Sequence, residues 1–244
     1  MIDIKKLISS LQDKRKVFHS EDDLKLSFGM EILKNYTDCQ VRLERPVDIE
    51  MIDWNNSNLI ARAPIDIVVI EKNGNLIPVE LKYKTKKTQL ISDGEIYKLT
   101  EHGAVDIGRY SFRKDIYRIE KYLDSHSDSS TGYVLILTND KAYFDTNVSQ
   151  KENYDKSFSF HNNSMVKKKD SGWNYNKIID SDKYEEREGD KRWWYKDKNK
   201  PHWTCVKELF YKLDLQNDYK INWIDYSSFS ETDFKYCLIK ITKN

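Results

Sequence analysis

The stretch PIDIVVIEKNGNLIPVELKYKT, residues 64 to 85, decides the fold of this chain. Two near-continuous apolar runs, IDIVVI (65 to 70) and LIPVEL (76 to 81), flank Glu71-Lys72-Asn73-Gly74, the pattern of two buried strands joined by a tight hairpin. Charges are rare in buried strands, yet Asp66 interrupts the first run, and Glu80 and Lys82 mark the second. Side chains alternate between the faces of a strand, so Glu80 and Lys82 share one face while Leu81 points into the core. If the turn is type I with Gly74 in the left-handed region, Glu71 pairs with Asn75 and Asp66 stands opposite Glu80. A two-residue Asn73-Gly74 turn would instead pair Asp66 with Leu81 and send the two carboxylates to opposite faces. Ionised carboxylates in such a setting are costly unless paired or bound to a cation, and Lys82 alone does not balance Asp66, Glu80 and the earlier Glu21. A divalent metal is the economical answer to that imbalance.

Working outward, Ser20 followed three residues later by Asp23 resembles a capping box, and Leu24, Phe28 and Ile32 continue a helix to about Tyr36. QVRLERPV (40 to 47) alternates as a strand ended by Pro46. On the other side, Phe112, Ile116, Ile119 and Leu123 recur at helical spacing within residues 104 to 124, and GYVLILTN (132 to 139) reads as a further buried strand. The order helix, three strands, helix, strand predicts an α/β fold with a mixed central β-sheet flanked by helices. From 145 to about 201 the pattern breaks into charge-mixed sequence with aromatics such as Trp173, Tyr175, Trp193, Trp194 and Tyr195. LFYKLDL (209 to 215), YKINWIDY (219 to 226) and FKYCLIKI (234 to 241) then alternate as half-buried strands. The expected organisation is a core over 1–144, including an N-terminal helix, followed by an aromatic insertion and an antiparallel β-rich C-terminal extension over 145–244 that packs on it.

With 244 residues the chain can bury a core without staples. Its 41 Lys and Arg against 40 Asp and Glu leave a net charge of +1, so a nucleic-acid footprint has to be local. Aromatic residues reach 13 %, which excludes a disordered chain. The abundance of Lys, Asn, Ile and Tyr is the bias of an AT-rich genome, and isolated lysines carry little weight. Cys39, Cys205 and Cys237 form no CxxC pair, which argues against a disulfide framework or a zinc site and for a reducing compartment. Asp3, Lys5 and Lys6 interrupt the apolar residues of MIDIKKLISSLQDKRKVF, leaving no signal-peptide core, and no long apolar run follows. The expected location is the cytoplasm of a microbe, with no membrane partner.

The arrangement resembles the PD-(D/E)xK nuclease superfamily, the restriction-endonuclease-like fold, whose motif is matched by Pro64, Asp66, Glu80 and Lys82. Position 65 is Ile, so Asp66 follows the proline by one extra residue. The superfamily's order of elements fits residues 20 to 139, and the phrases FHSEDDL (18 to 24), VRLERP (41 to 46), ELKYKT (80 to 85) and HGAVDIGRYSFRKDIYRIE (102 to 120) look like those of uncharacterised bacterial proteins of this type. The resemblance implies a metal-dependent phosphodiesterase that hydrolyses nucleic acid in line. Asp66, Glu80 and the Leu81 carbonyl would hold Mg²⁺, with Mn²⁺ as a substitute, and Glu21 would complete that shell or help hold a second ion. Lys82 would orient the attacking water and stabilise the added charge of the transition state.

Lys84 and Lys86 in KYKTKK, and Arg109 and Arg113 one turn apart on the second core helix, are the candidates for phosphate contacts. His102 is read as an ordinary loop histidine. DNA stands ahead of RNA as substrate by analogy with the superfamily, in phage defence or repair, and a homodimer would suit cutting two strands. The alternatives are an RNA-cutting effector or one activated by a nucleotide or partner, and a catalytically weak nucleic-acid-binding protein on the same scaffold.

Overall fold

The computed structural model describes residues 2–52, 58–145, 158, 160–169, 184–185, 187–189, 192–206 and 211–243. In it, β4 (Ile65–Ile70) and β5 (Leu76–Lys84) form an antiparallel hairpin with Ile70 opposite Leu76 and Ile67 opposite Val79. Gly74 takes φ +85°, its N–H donates to the Glu71 carbonyl at 2.8 Å, and the Glu71 N–H donates to Asn75 at 2.9 Å. That is the three-residue loop with a left-handed glycine. One further step of the same register sets Asp66 across from Glu80.

The hairpin lies inside a six-stranded mixed sheet with β1 (Gln40–Arg45), β8 (Thr131–Thr138), β14 (Trp223–Ser228) and β15 (Asp233–Thr242), in the order β1-β4-β5-β8-β15-β14. Every neighbouring pair is antiparallel except β5 and β8, which run parallel and are joined across one face by α3 (Val105–Ser125). The helices α1 (Ile4–Lys14) and α2 (Glu21–Asn35) cover the opposite face. Period-two alternation sorts the strand side chains between two cores. Ile67, Val69, Val79 and Leu81 pack with Leu24, Phe28 and Ile32 of α2, while Val68, Val134 and Ile136 pack with Phe112, Ile116 and Ile119 of α3.

Ser20 caps α2 by accepting the Asp23 N–H at 3.1 Å, but the reciprocal bond of the expected box is displaced, since Asp23 accepts the N–H of His19 at 2.9 Å. Two hairpins escaped the sequence reading: β2 (Asp48–Ile52) with β3 (Asn58–Arg62), and β6 (Thr88–Ser92) with β7 (Glu95–Leu99). They are inserted before β4 and after β5. A short helix α4 (Lys141–Phe144) and the strands β9 (Met165–Val166), β10 (Tyr184–Glu185), β11 (Arg192–Tyr195), β12 (Lys200–Val206) and β13 (Tyr219–Lys220) complete the assignment, with β9 pairing β13 and β10 to β12 forming a small antiparallel sheet.

Among the strands expected after residue 205, YKINWIDY is divided between β13 and β14, and FKYCLIKI becomes β15 inside the main sheet. The described part of LFYKLDL, residues 211 to 215, is not a strand beyond a single bridge from Lys212 to Ile52. Its carbonyls are taken by α3 side chains instead of a ladder: Tyr110 donates to Tyr211 and Arg113 to Leu213, each at 2.9 Å. The expected aromatics Trp173 and Tyr175 lie outside the described residues. No helix among the described residues is long and apolar enough to cross a membrane.

Candidate active site

Beyond Ile67 and Val79 the backbones of β4 and β5 part, and side chains take over the donors that β4 no longer meets. The Leu81 N–H donates to Asp66 Oδ2 at 2.8 Å, the Tyr83 N–H to Glu21 Oε2 at 2.8 Å, and the Thr85 N–H to His102 Nδ1 at 3.0 Å. Outward donors on one strand edge recur every second residue, about 6.6 Å apart, so this row is spaced by the backbone itself. An edge left open would expose unpaired N–H groups, and here each meets an acidic or imidazole acceptor.

The opposite side of β5 presents Glu80 and Lys82 toward α3. Asp115 and Arg118 come from that helix, and Lys25 comes from α2. Lys82 Nζ lies 3.0 Å from the Leu81 carbonyl, 3.5 Å from Glu21 Oε1, 3.5 Å from Asp115 Oδ2 and 3.9 Å from Asp66 Oδ2. Lys25 Nζ is 2.9 Å from Asp66 Oδ1 and also pairs with Glu44. Arg118 Nη2 stands 3.1 Å from Glu80 Oε1 but directs its hydrogen bond to the Pro64 carbonyl, and its Nη1 lies 3.4 Å from Asp115.

Charge is unbalanced in this cluster. Glu21, Asp66, Glu80 and Asp115 face Lys25, Lys82 and Arg118, four carboxylates against three cations, and Lys25 is shared with Glu44. Glu80 is 0 % exposed and neither of its oxygens accepts a hydrogen bond among the described residues. Burial, with Asp115 and Asp66 nearby, pushes its carboxyl well above the usual range against the opposing pull of Arg118 and Lys82. Asp115 moves the same way, again through burial first. Burial would raise Asp66 too, but Lys82, a hydrogen bond from the Glu80 carboxyl in its raised, protonated form, Lys25 and the Leu81 N–H hold it below its ordinary value. Lys82 stays charged, because the four carboxylates outweigh its burial. The site is thus a cluster of hard oxygen donors with more carboxyl groups than ion-paired cations.

The sequence-expected residues Asp66, Glu80 and Lys82 are brought together with the Leu81 carbonyl. Glu21 joins through Tyr83 and Lys82 rather than as a third carboxylate beside Asp66 and Glu80. Among the described residues no three His, Cys, Asp or Glu side chains stand close enough to hold an ion by themselves, so a cation here would rely on two carboxylates, a carbonyl and water. Lys25, Asp115 and Arg118 were missed. The i, i+3 pair Asp115 and Arg118 reads as an ordinary surface ion pair on a helix until the helix is known to lie over β5.

The four expected phosphate contacts separate. Lys84 continues the Glu80 and Lys82 face, is half-buried, and makes no hydrogen bond or ion pair among the described residues. Burial lowers its pKa and Lys82 adds to this, with Glu21 opposing. Lys86 is exposed and pairs with Glu101 at 2.8 Å. Arg109 donates to the Ala142 carbonyl at 2.6 Å. The reading of Arg113 as a phosphate contact is corrected: it is 1 % exposed and donates to the carbonyls of Leu213, Lys167 and Lys168, anchoring the C-terminal segment to α3.

No family model, curated protein or solved structure matches the chain.

Proposed function

We propose that this chain is a metal-dependent phosphodiesterase that cleaves nucleic acid, DNA ahead of RNA, on a restriction-endonuclease-like core. The order α2, β1, β4, β5, α3, β8 supports the core assignment, with Pro64, Asp66, Glu80 and Lys82 at the motif positions. The observation that carries the reading is Glu80: a fully buried carboxyl group that accepts no hydrogen bond among the described residues, beside a second carboxylate, in a cluster with more carboxyl groups than ion-paired cations. Such a group is costly unless a proton or a cation completes it.

Asp66, Glu80 and the Leu81 carbonyl are hard oxygen donors that fit Mg²⁺ or Mn²⁺ and would hold it. When bound, such an ion polarises a phosphoryl oxygen and lowers the pKa of water. Lys82, kept charged by its carboxylate neighbours, supplies a fixed ammonium for the charge that develops on the phosphoryl oxygens. Asp115 is a positioning residue: from 3.5 Å it holds the Lys82 amine on the α3 side of β5. Glu21 steadies the same amine from the α2 side. Lys84, the next residue on that face, would meet the phosphate backbone in this reading.

The test is incubation with supercoiled, linear and single-stranded DNA and with RNA, in Mg²⁺, Mn²⁺ and EDTA, beside Glu80→Gln and Lys82→Ala. Cleavage is expected in Mg²⁺ or Mn²⁺ and not in EDTA, with each variant at least ~100-fold slower. Cleavage that persists in EDTA or survives both substitutions removes the assignment. Binding without cleavage in either metal leaves a nucleic-acid-binding protein.

A further inference from the structure

A groove of about 370 Å³ runs between β3 and α3. Its size lies at the lower end of small-ligand sites, roughly 300–1,000 Å³. Arg62, Lys114 and Arg118 line it together with the apolar Met51 and Leu59 and with Tyr211, and no carboxylate is among its described lining residues. Lys114 Nζ stands 5.9 Å from the Tyr211 ring centroid. Arg118 joins the groove to the candidate active site. One end of its guanidinium reaches Glu80 and Asp115, while its Nε is buried without a hydrogen-bond partner among the described residues. The chain itself makes the same connection, since Arg62 and Asp66 are four residues apart, at most about 14 Å of extended backbone.

Cations from both sides of the groove, Arg62 on β3 and Lys114 and Arg118 on α3, set among apolar and aromatic residues match a phosphate attached to a flat, largely apolar body. We infer that this groove binds one nucleotide unit of the substrate strand next to the scissile phosphate, with Arg62 and Lys114 on its phosphate and Met51, Leu59 and Tyr211 against its sugar and base. The inference deepens the nuclease reading and rests on it for the identity of the strand. The β2–β3 hairpin, inserted ahead of β4, thereby acquires a task that the six-stranded sheet does not assign to it.

Fluorescence anisotropy with a 5′-labelled 12-nucleotide single strand in EDTA measures the contact without turnover, and an unlabelled nucleoside 5′-monophosphate serves as competitor. The variants are Arg62→Ala and Lys114→Ala, with Lys5→Ala on α1, across the sheet, as an equal change of charge; cleavage in Mg²⁺ and Mn²⁺ is measured in parallel. Arg62→Ala and Lys114→Ala are each expected to weaken strand binding about tenfold and to flatten its salt dependence by about one counterion, and Lys5→Ala to change neither. Unaltered binding by both groove variants in a protein that still cuts overturns the groove and leaves the nuclease reading standing. Weakened binding in the variants of a protein that cuts nothing supports the groove and removes the nuclease. Loss of monophosphate binding in the variants with strand binding unaffected overturns the assignment to the substrate strand.

Discussion

At the scale of single residues, Glu80 and Glu31 show how differently two buried carboxyl groups are served by their surroundings. Glu31 on α2 is also buried, but Lys14 reaches it at 2.6 Å, Ser10 at 2.6 Å and Asn35 at 2.7 Å. Burial pushes its carboxyl up, and these donors more than reverse that, leaving it below its ordinary 4.5. A group whose folded value is depressed stabilises fully above its unfolded value and loses that contribution as pH falls through the lower folded one. Denaturant unfolding followed from pH 7 down to pH 3 is therefore expected to show Glu31→Gln costing about 1–3 kcal/mol at neutral pH and progressively less in acid; a cost independent of pH rejects this assignment. Glu80 should behave in the opposite way. Replacing it by Gln equalises three carboxylates and three cations, so in EDTA the variant is expected to be as stable as the wild type or about 1 kcal/mol more stable, while losing any melting shift given by Mg²⁺. A variant that melts well below the wild type in EDTA would make Glu80 the structural partner of Arg118 instead.

At the scale of elements, the candidate site depends on one turn. Gly74 at φ +85° closes the three-residue loop, and the register it sets carries through Ile67 and Val79 to bring Asp66 and Glu80 together. A Cβ at position 74 would meet nothing within 4 Å, so Gly74→Ala is charged only for backbone strain, about 1–2 kcal/mol, and is expected to melt lower by that amount with its site chemistry intact. Loss of activity far beyond the loss of folded protein would mean that the register had slipped. This hairpin was legible in the sequence because its apolar runs, turn and charges are all local. The same holds for the stripes of α2 and α3. What the sequence withheld was the pairing of elements: nothing in the spacing of Asp115 and Arg118 says that α3 crosses over β5, and nothing in ERPVDIEMI says that a hairpin folds back to make a groove with that helix. Arg113 misled for the same reason, since a cation one turn from Arg109 has the same periodicity whether it meets solvent or three backbone carbonyls.

At the scale of the whole molecule, the last strands belong to the main sheet, although the sequence reads them as an extension. β15 pairs with β8 over eight residues, from Lys235 opposite Thr138 to Thr242 opposite Thr131, and β14 closes the sheet beyond it. Contacts this far apart in the chain leave no local signal, and the intervening 145–201 segment has no readable period. β8 in turn pairs with β5 beside Glu80 and Lys82, Glu80 opposite Val134 and Lys82 opposite Ile136. Removing residues 229–244 would strip β8 of its outer partner, leave a row of buried backbone groups unpaired, and expose the core residues that now pack against Phe234, Cys237, Ile239 and Ile241. The shortened chain is accordingly expected to lose its cooperative thermal transition by far-UV circular dichroism and to be digested by dilute protease under conditions that spare the full chain. A fragment of residues 1–144 that melted cooperatively would show instead that β4, β5, α3 and β8 form a self-sufficient unit, with the C-terminal strands added to a core already able to hold the carboxylate cluster.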